Sequence, residues 1–222
     1  MVILPLVIGV VLGPRWVQIP ITVAWFAGYF CFFALTIRLK SRRAGTPTLV
    51  YGAIAAVAAA VALLMQPALV WWALAFLPPF AVAVWEAAHR RSRSLLSGIA
   101  TVAVAVLMTP VAAPRLDAEV WTITALEALY FVGSLLYVKT LIRKRGNPRW
   151  FAASVIYHVA AAIVAMVLTR SWVAAIVFTL LAVRSWVVPR VGAKRRITPK
   201  AAGQGEVLSL FGLLAACFLL PA

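Results

Sequence analysis

One segment of this 222-residue sequence places an acid, two phenols and a hydroxyl on a single helical face. Glu127 is followed at i+3, i+7 and i+10 by Tyr130, Ser134 and Tyr137, a spacing that brings the four side chains to one side of an α-helix. Polar groups in apolar helices are costly and usually face a bundle interior. Glu127 is therefore a candidate proton-linked or ligand-binding carboxylate, and the alternative is a structural acid held by hydrogen bonds.

The two histidines differ in their surroundings. His158 lies in an apolar segment one turn after Ser154, which makes it a candidate proton shuttle or ligand contact, against the alternative of an interior histidine hydrogen-bonded to a neighbouring helix. His89 lies beside arginines at a segment end. Paired histidine ligation of haem is therefore disfavoured, and since metal-ligand spacings are also absent, we expect no cofactor and no metal.

Two consecutive prolines, Pro78 and Pro79, interrupt another apolar segment. Neither can donate a backbone hydrogen bond, so the carbonyls of Leu74 and Ala75 lose their helical partners, and the helix is expected to kink or break. Broken helices often line binding or transport sites. The alternative is a plain kink whose carbonyls are satisfied by neighbouring side chains.

Several cationic side chains lie near the ends of apolar segments. Lys139 and Arg184 lie a turn or two inside, and Arg91 and Arg93 lie just outside. Together they could form a vestibule for a phosphate or carboxylate, or they could contact anionic lipid headgroups. Glu206 opens the last apolar segment, where the helix dipole favours a carboxylate. No residue is assigned a catalytic role.

The composition indicates how these residues are positioned. The chain is 65% hydrophobic with a mean hydropathy of +1.02, and windows of roughly 20 apolar residues are long enough to cross a bilayer. The sequence predicts an all-α polytopic transmembrane helix bundle of about nine spans. The predicted spans are 1–13, 19–37, 49–65, 68–88, 94–111, 118–141, 151–168, 170–189 and 205–221. Gly9 and Gly13 have the spacing of a close helix crossing.

Basic residues are concentrated in every second loop. Sixteen of the 21 are Arg38, Lys40, Arg42, Arg43, Arg90, Arg91, Arg93, Arg143, Lys144, Arg145, Arg149, Arg190, Lys194, Arg195, Arg196 and Lys200. The positive-inside rule then predicts a bacterial plasma membrane protein with its N-terminus cytoplasmic and its C-terminus outside. The loops are too short for a soluble domain, so residues 1–222 form one integral membrane domain. The expected partners are the lipid bilayer and its anionic headgroups, and no nucleic acid.

Four stretches resemble the YwiC-like family of bacterial membrane proteins. They are Arg90–Leu96, Leu129–Thr140, Ser154–His158 and Thr198–Glu206. The resemblance implies a multi-pass membrane location and no established activity. Family members are pictured with a His-Gly-Ala-Trp stretch before the first span. This chain starts at Met1 without that stretch, which leaves open whether the start is truncated or the stretch is lost.

Three functions remain open. The leading hypothesis is binding or transport of a small anionic or lipidic molecule. The second is a membrane-embedded transferase distantly like quinone-type prenyltransferases, although the loops 38–48 and 142–150 lack the aspartates that hold Mg²⁺ there. The third is a non-catalytic subunit of a membrane complex. Whether the protein is an enzyme, and its oligomeric state, stay undetermined.

Overall fold

The computed structural model describes residues 2–41, 45–194 and 197–219, and over these ranges it contains helices and no strand. The helices are α1 (Leu4–Val11), α2 (Gln18–Ser41), α3 (Thr46–Met65), α4 (Trp72–Ala88), α5 (Leu95–Val106), α6 (Met108–Ala112), α7 (Ala118–Val138), α8 (Pro148–Thr169), α9 (Trp172–Lys194) and α10 (Pro199–Phe218). A 3₁₀ turn, Pro67–Trp71, precedes α4, and a π-helical turn, Lys139–Arg143, extends α7. The all-helical prediction is confirmed.

The chain divides into two compact units. The first, Met1–Trp121, contains α1 to α6, and the second, Thr122–Ala222, contains most of α7 together with α8, α9 and α10. In the first unit, α2 packs along α3 and α4 along α5, while α1 packs on α6. In the second unit, α9 packs between α8 and α10. The single domain predicted over 1–222 stays a prediction.

Eight helical segments within the described ranges are long and apolar enough to cross a membrane. They are Gln18–Leu39, Thr46–Met65, Pro67–Ala88, Leu95–Ala112, Ala118–Arg143, Pro148–Thr169, Trp172–Gly192 and Lys200–Phe218. Each corresponds to one of the nine predicted spans. The other window, 1–13, contains α1, whose eight residues cover about 12 Å, well short of a bilayer core of roughly 30 Å. By the length and composition of its helices, the described part of the chain fits a multi-pass integral membrane protein.

Local signals explain where several helices begin. The Ser94 hydroxyl accepts the Ser97 N–H at the start of α5, and the Asn147 side chain accepts two N–H groups at the start of α8. Thr198 caps α10 in the same way. These residues satisfy donors that the first helical turn leaves without partners, so the turns that separate the spans are encoded locally.

The two sides of the long helices carry different residues. Large apolar side chains face outward, such as Leu64 (84% exposed) in α3 and Leu208 (74% exposed) in α10. Small residues such as Ala62 and Ala165 are buried. This arrangement suits a lipid environment, because tails as apolar as leucine favour helix contacts through close packing of small residues.

The Pro78-Pro79 pair lies inside α4, which continues from Trp72 to Ala88. The helix therefore does not break at this pair, and the predicted kink stays a prediction. Each proline removes one i to i−4 hydrogen bond, and the remaining bonds of a 17-residue helix suffice to maintain it. The role of Pro78 and Pro79 in ligand binding stays a prediction.

The start of α7 carries an exposed charge cluster whose titration is testable. Asp117 accepts the Val120 N–H at 3.0 Å and pairs with Arg115, which also contacts Glu119 at 2.8 Å. The Val120 N–H and the Arg115 guanidinium lower the pKa of Asp117, and the bonds to Asp117 and Glu119 raise the pKa of Arg115. The cluster caps α7 with an ionised acid.

We expect acid to weaken this cap. Because the folded-state pKa of Asp117 lies below the unfolded value of about 3.9, the stabilisation is complete above that pH and is lost as the pH falls through the folded pKa. Asp117→Asn keeps a capping oxygen without the charge. In thermal unfolding between pH 2 and pH 6, followed by tryptophan fluorescence, the variant should lose part of the acid-dependent decrease in Tm. An identical pH dependence in the two proteins would contradict this role.

Candidate functional site

An ion pair lies among the helices of the second unit. Arg184 of α9 contacts Glu206 of α10, with 2.8 Å between Nη2 and Oε1. The two side chains are only 16% and 17% exposed, and both residues lie within segments that are able to span a membrane. Glu206 lies about 10 Å along the helix axis from the start of α10. Charges at such a position are costly, so this pair is a functional-site hypothesis.

Hydroxyl groups from α7 complete the surroundings of the Glu206 carboxylate. Tyr130 donates its hydroxyl hydrogen to Oε2 at 3.2 Å, and Ser134 donates to the same oxygen. Tyr130 also lies 3.2 Å from the backbone carbonyl of Glu206. Three helices therefore meet at this carboxylate, because α7 supplies its hydrogen bonds and α9 supplies its counter-ion.

The Arg184 guanidinium is held from several sides. Its Nη1 donates to the Ser209 hydroxyl at 2.6 Å and to the Gly205 carbonyl at 3.3 Å, while its Cζ lies 4.1 Å from the centre of the Tyr137 ring. Within the described residues the buried Nε–H has no acceptor. Arg184 is therefore held by residues of α7 and α10 and does not extend towards a membrane surface as such side chains usually do.

The predicted polar stripe of α7 is buried along its length. Glu127 and Tyr130 are 0% and 3% exposed, and Ser134 and Tyr137 are 9% and 3% exposed. Its inward orientation is thus confirmed. Tyr130, Ser134 and Tyr137 meet the Arg184–Glu206 pair, whereas Glu127 lies about one turn before Tyr130. The acid at the centre of the cluster is Glu206.

His158 packs against the backbone of α7 beside this cluster. Its Nδ1 lies 2.7 Å from the Ser154 carbonyl, so the Nδ1–H donates and Nε2 is left as the acceptor. An ideal Cβ on Gly133 would lie 3.0 Å from Nε2. Because Gly133 has no side chain, the imidazole ring of His158 has room to lie against α7 at this position. A ligand or proton-transfer role for His158 stays a prediction.

Lys139 begins the π-helical turn that follows α7. The side chain is 8% exposed, and its carbonyl accepts the Lys144 N–H at 2.8 Å, five residues later. Such wide turns are frequent at functional sites. Lys139 is thus the start of a distorted helix end, and its predicted part in an anion vestibule stays a prediction.

Arg91 and Arg93 belong to the first unit, in the turn between α4 and α5. The Arg91 N–H donates to the Glu86 carbonyl at 2.7 Å. Their participation in a vestibule with Lys139 and Arg184 stays a prediction. The first unit also contains an open cavity of about 650 Å³ among α2, α3, α4 and α5, lined by apolar side chains such as Trp25 and Phe76.

Three residues of the cluster were not expected from the sequence. Gly205 and Ser209 supply oxygens to Arg184, and Gly133 accommodates His158. Gly133 and Gly205 lie within stretches that carry the family resemblance, and Ser209 follows Glu206 by three residues, on the same helical face. Within the described residues, no group of three or more His, Cys, Asp or Glu side chains lies close enough to hold a metal ion.

Comparisons with known proteins agree with the resemblance drawn above. A family model described as "YwiC-like protein" matches residues 1–113. An uncharacterized protein of Haemophilus influenzae is 28% identical over 186 residues, which are 80% of this chain and 78% of the relative. The uncharacterized protein YwiC of Bacillus subtilis is 26% identical over 187 residues, 78% of this chain and 75% of the relative. No solved structure matches.

Proposed function

This chain belongs to the YwiC-like family, and from that premise we propose that it is a bacterial plasma membrane protein that binds a small anionic molecule and transports it together with a proton taken up by Glu206. One observation carries the proposal. A carboxylate and a guanidinium face each other within helices that are able to span a membrane, where an ionised pair is difficult to stabilise and usually serves a function.

The arrangement supports competition between Glu206 and an incoming anion. With Glu206 ionised, its carboxylate occupies the Arg184 guanidinium. With Glu206 protonated, Tyr130 and Ser134 still provide hydrogen-bond partners for the neutral acid. Arg184 then presents its planar fork of donors to the carboxylate or phosphate of a ligand, a geometry that suits such anions.

The sign of the coupling follows from this competition. Uptake of a proton by Glu206 removes the internal anion that competes for Arg184, so the external anion binds more tightly as the pH falls. Release of the ligand returns the carboxylate to Arg184. Proton and anion therefore move together, which is the behaviour of a proton-coupled transporter.

The orientation in the membrane is part of the proposal. The turns after α2, α4, α7 and α9 carry the basic residues and face the cytoplasm by the positive-inside rule. The end of α10 then faces outward, and α2 enters from the outer side. A cytoplasmic N-terminus requires a ninth crossing before α2. It stays a prediction, because α1 covers only about 12 Å.

The test is anion binding as a function of pH. The purified protein is screened in neutral detergent, by thermal shift, against a panel of small carboxylates and phosphate esters. We expect the wild-type affinity for the best probe to rise as the pH falls, by up to about tenfold per pH unit for one coupled proton. Glu206→Gln should bind that probe without this pH dependence, and Arg184→Gln should not bind it.

Glu127→Gln is the matched control, since it neutralises another buried acid of the same unit outside the ion pair. It should retain the pH dependence of the wild type. If Glu127→Gln abolished the pH dependence while Glu206→Gln kept it, the proton site would be Glu127 and the proposed exchange at Arg184 would be wrong. Unchanged binding in Arg184→Gln would equally contradict the proposal.

A further inference from the structure

A second cavity lies at the basic end of the second unit. Its volume is about 330 Å³, and it lies between the π-helical turn after α7, the start of α8 and the last turns of α9. Thr140, Leu141 and Phe151 line it together with two arginines, Arg145 and Arg190. It is separate from the Arg184–Glu206 pair, neither of whose residues lines it.

The shape of this cavity depends on three local features of the backbone. The π-helical turn widens the end of α7 at Thr140 and Leu141. Pro189 lies inside α9, where it cannot supply the hydrogen bond that the Ser185 carbonyl would accept. Gly146 takes a left-handed conformation, with φ of +76°, which a glycine adopts without strain. All three features lie at or beside the lining, so the cavity follows from specific residues.

Arg190 is held in a defined position at this cavity. Its Cζ lies 4.5 Å from the centre of the Phe151 ring and 4.1 Å from that of Trp186. Aromatic contacts cover the faces of a guanidinium and leave its N–H donors directed outward in the ring plane. Nη1 donates to the Trp186 carbonyl at 3.1 Å. The side chain is thus prepared to recognise a planar or tetrahedral anion through its remaining donors.

The chemistry of the lining selects the ligand class. Arg145 and Arg190 supply positive charge, whereas Leu141, Phe151 and Pro189 supply apolar surface. The Asn147 oxygen already accepts the N–H groups of Arg149 and Trp150, so the arginines rather than the start of α8 provide the recognition. Two arginines beside apolar side chains suit a phosphate group attached to an apolar portion.

We propose that this cavity is a binding site for a phosphate group, recognised by Arg145 and Arg190. The phosphate belongs either to a phospholipid headgroup or to a phosphate-bearing molecule from water. The site does not depend on proton exchange at Glu206, and it stands or falls separately from the transport function.

The experiment measures the binding of two probes to the purified full-length protein in neutral detergent. One probe is inorganic phosphate, and the other is phosphatidylglycerol added to the micelles, with phosphatidylcholine, whose phosphate charge is balanced by choline, as its zwitterionic counterpart. Arg190→Gln and Arg145→Gln should each weaken binding of the phosphate probe by about tenfold or more, because each removes a charge-assisted hydrogen bond to the phosphate. Arg149→Gln is the matched control: it removes one charge at the start of α8, four residues after Arg145, and Arg149 does not line the cavity.

The two probes distinguish the two possible sources of the phosphate group. Selective loss of phosphatidylglycerol binding in the two cavity variants supports a lipid headgroup as the source, and selective loss of inorganic phosphate binding supports a water-borne phosphate. An equal loss of binding in all three variants would mean that only the net charge matters, and it would overturn the proposal. The absence of phosphate binding in the wild type would also overturn it. If Arg190→Gln does not fold, Arg145→Gln, on the exposed turn, carries the same test.

Discussion

Glu206→Gln and Arg184→Gln are each expected to lower the free energy of unfolding by about 2 to 3 kcal/mol, because either substitution leaves one side of an interior ion pair without its partner. The value lies below that of a fully buried pair, since both side chains are about one sixth exposed and Arg184 keeps Ser209 and the Tyr137 ring as partners. The measurement is equilibrium unfolding in mixed detergent micelles.

The double variant is the informative comparison. When both charges are replaced by amides, no uncompensated ion remains, so its stability should return to within about 1 kcal/mol of the wild type, and the two single effects should fail to add. Arg115→Gln with Glu119→Gln is the matched control, because that pair is exposed and such pairs contribute little. Strict additivity at Arg184 and Glu206 would mean that the contact contributes nothing to folding.

Apolar length and charged turns were enough to predict most of the fold. The windows 49–65 and 151–168 correspond to Thr46–Met65 and Pro148–Thr169, because helix formation in an apolar segment depends on local hydrogen bonding alone. The division of two other windows was not predicted. The 3₁₀ turn before α4 begins at Pro67, and the boundary between α5 and α6 lies one turn before Pro110, which cannot donate to the Val106 carbonyl.

The sequence identified individual residues of the candidate site, but it did not show which acid pairs with Arg184. The spacing from Glu127 to Tyr137 shows a helical period in the sequence itself. Because these polar residues share one face of an apolar helix, the burial of that face was predictable. Both Glu127 and Glu206 were named as candidate residues, Glu127 from its position within a span and Glu206 from its position near a helix start. The helix register between α7 and α10 decides which acid meets Arg184, and that register is a tertiary property that no local pattern contains.

The close approach of α1 to α6 was suggested by the spacing of Gly9 and Gly13, and it leads to the second large effect. An ideal Cβ at Gly9 would lie 2.5 Å from the Thr109 carbonyl oxygen and 2.8 Å from the Ala112 Cβ. Neither atom is the end of a flexible side chain, so the helices must separate. Gly9→Ala should therefore destabilise the first unit by about 2 kcal/mol or more, measured as a lower Tm and faster hydrogen exchange in α1.

Gly28→Ala isolates this effect, because Gly28 also lies in an apolar helix and its added Cβ would meet nothing within 4 Å. There the substitution should raise stability by up to about 1 kcal/mol, since alanine favours a helix more than glycine does. Alanine also favours the helix at Gly9, so the destabilisation caused by the clash there must be larger than this gain in stability. The difference between the two variants thus measures the α1–α6 contact itself, and equal Tm values would show that α1 does not pack closely on α6.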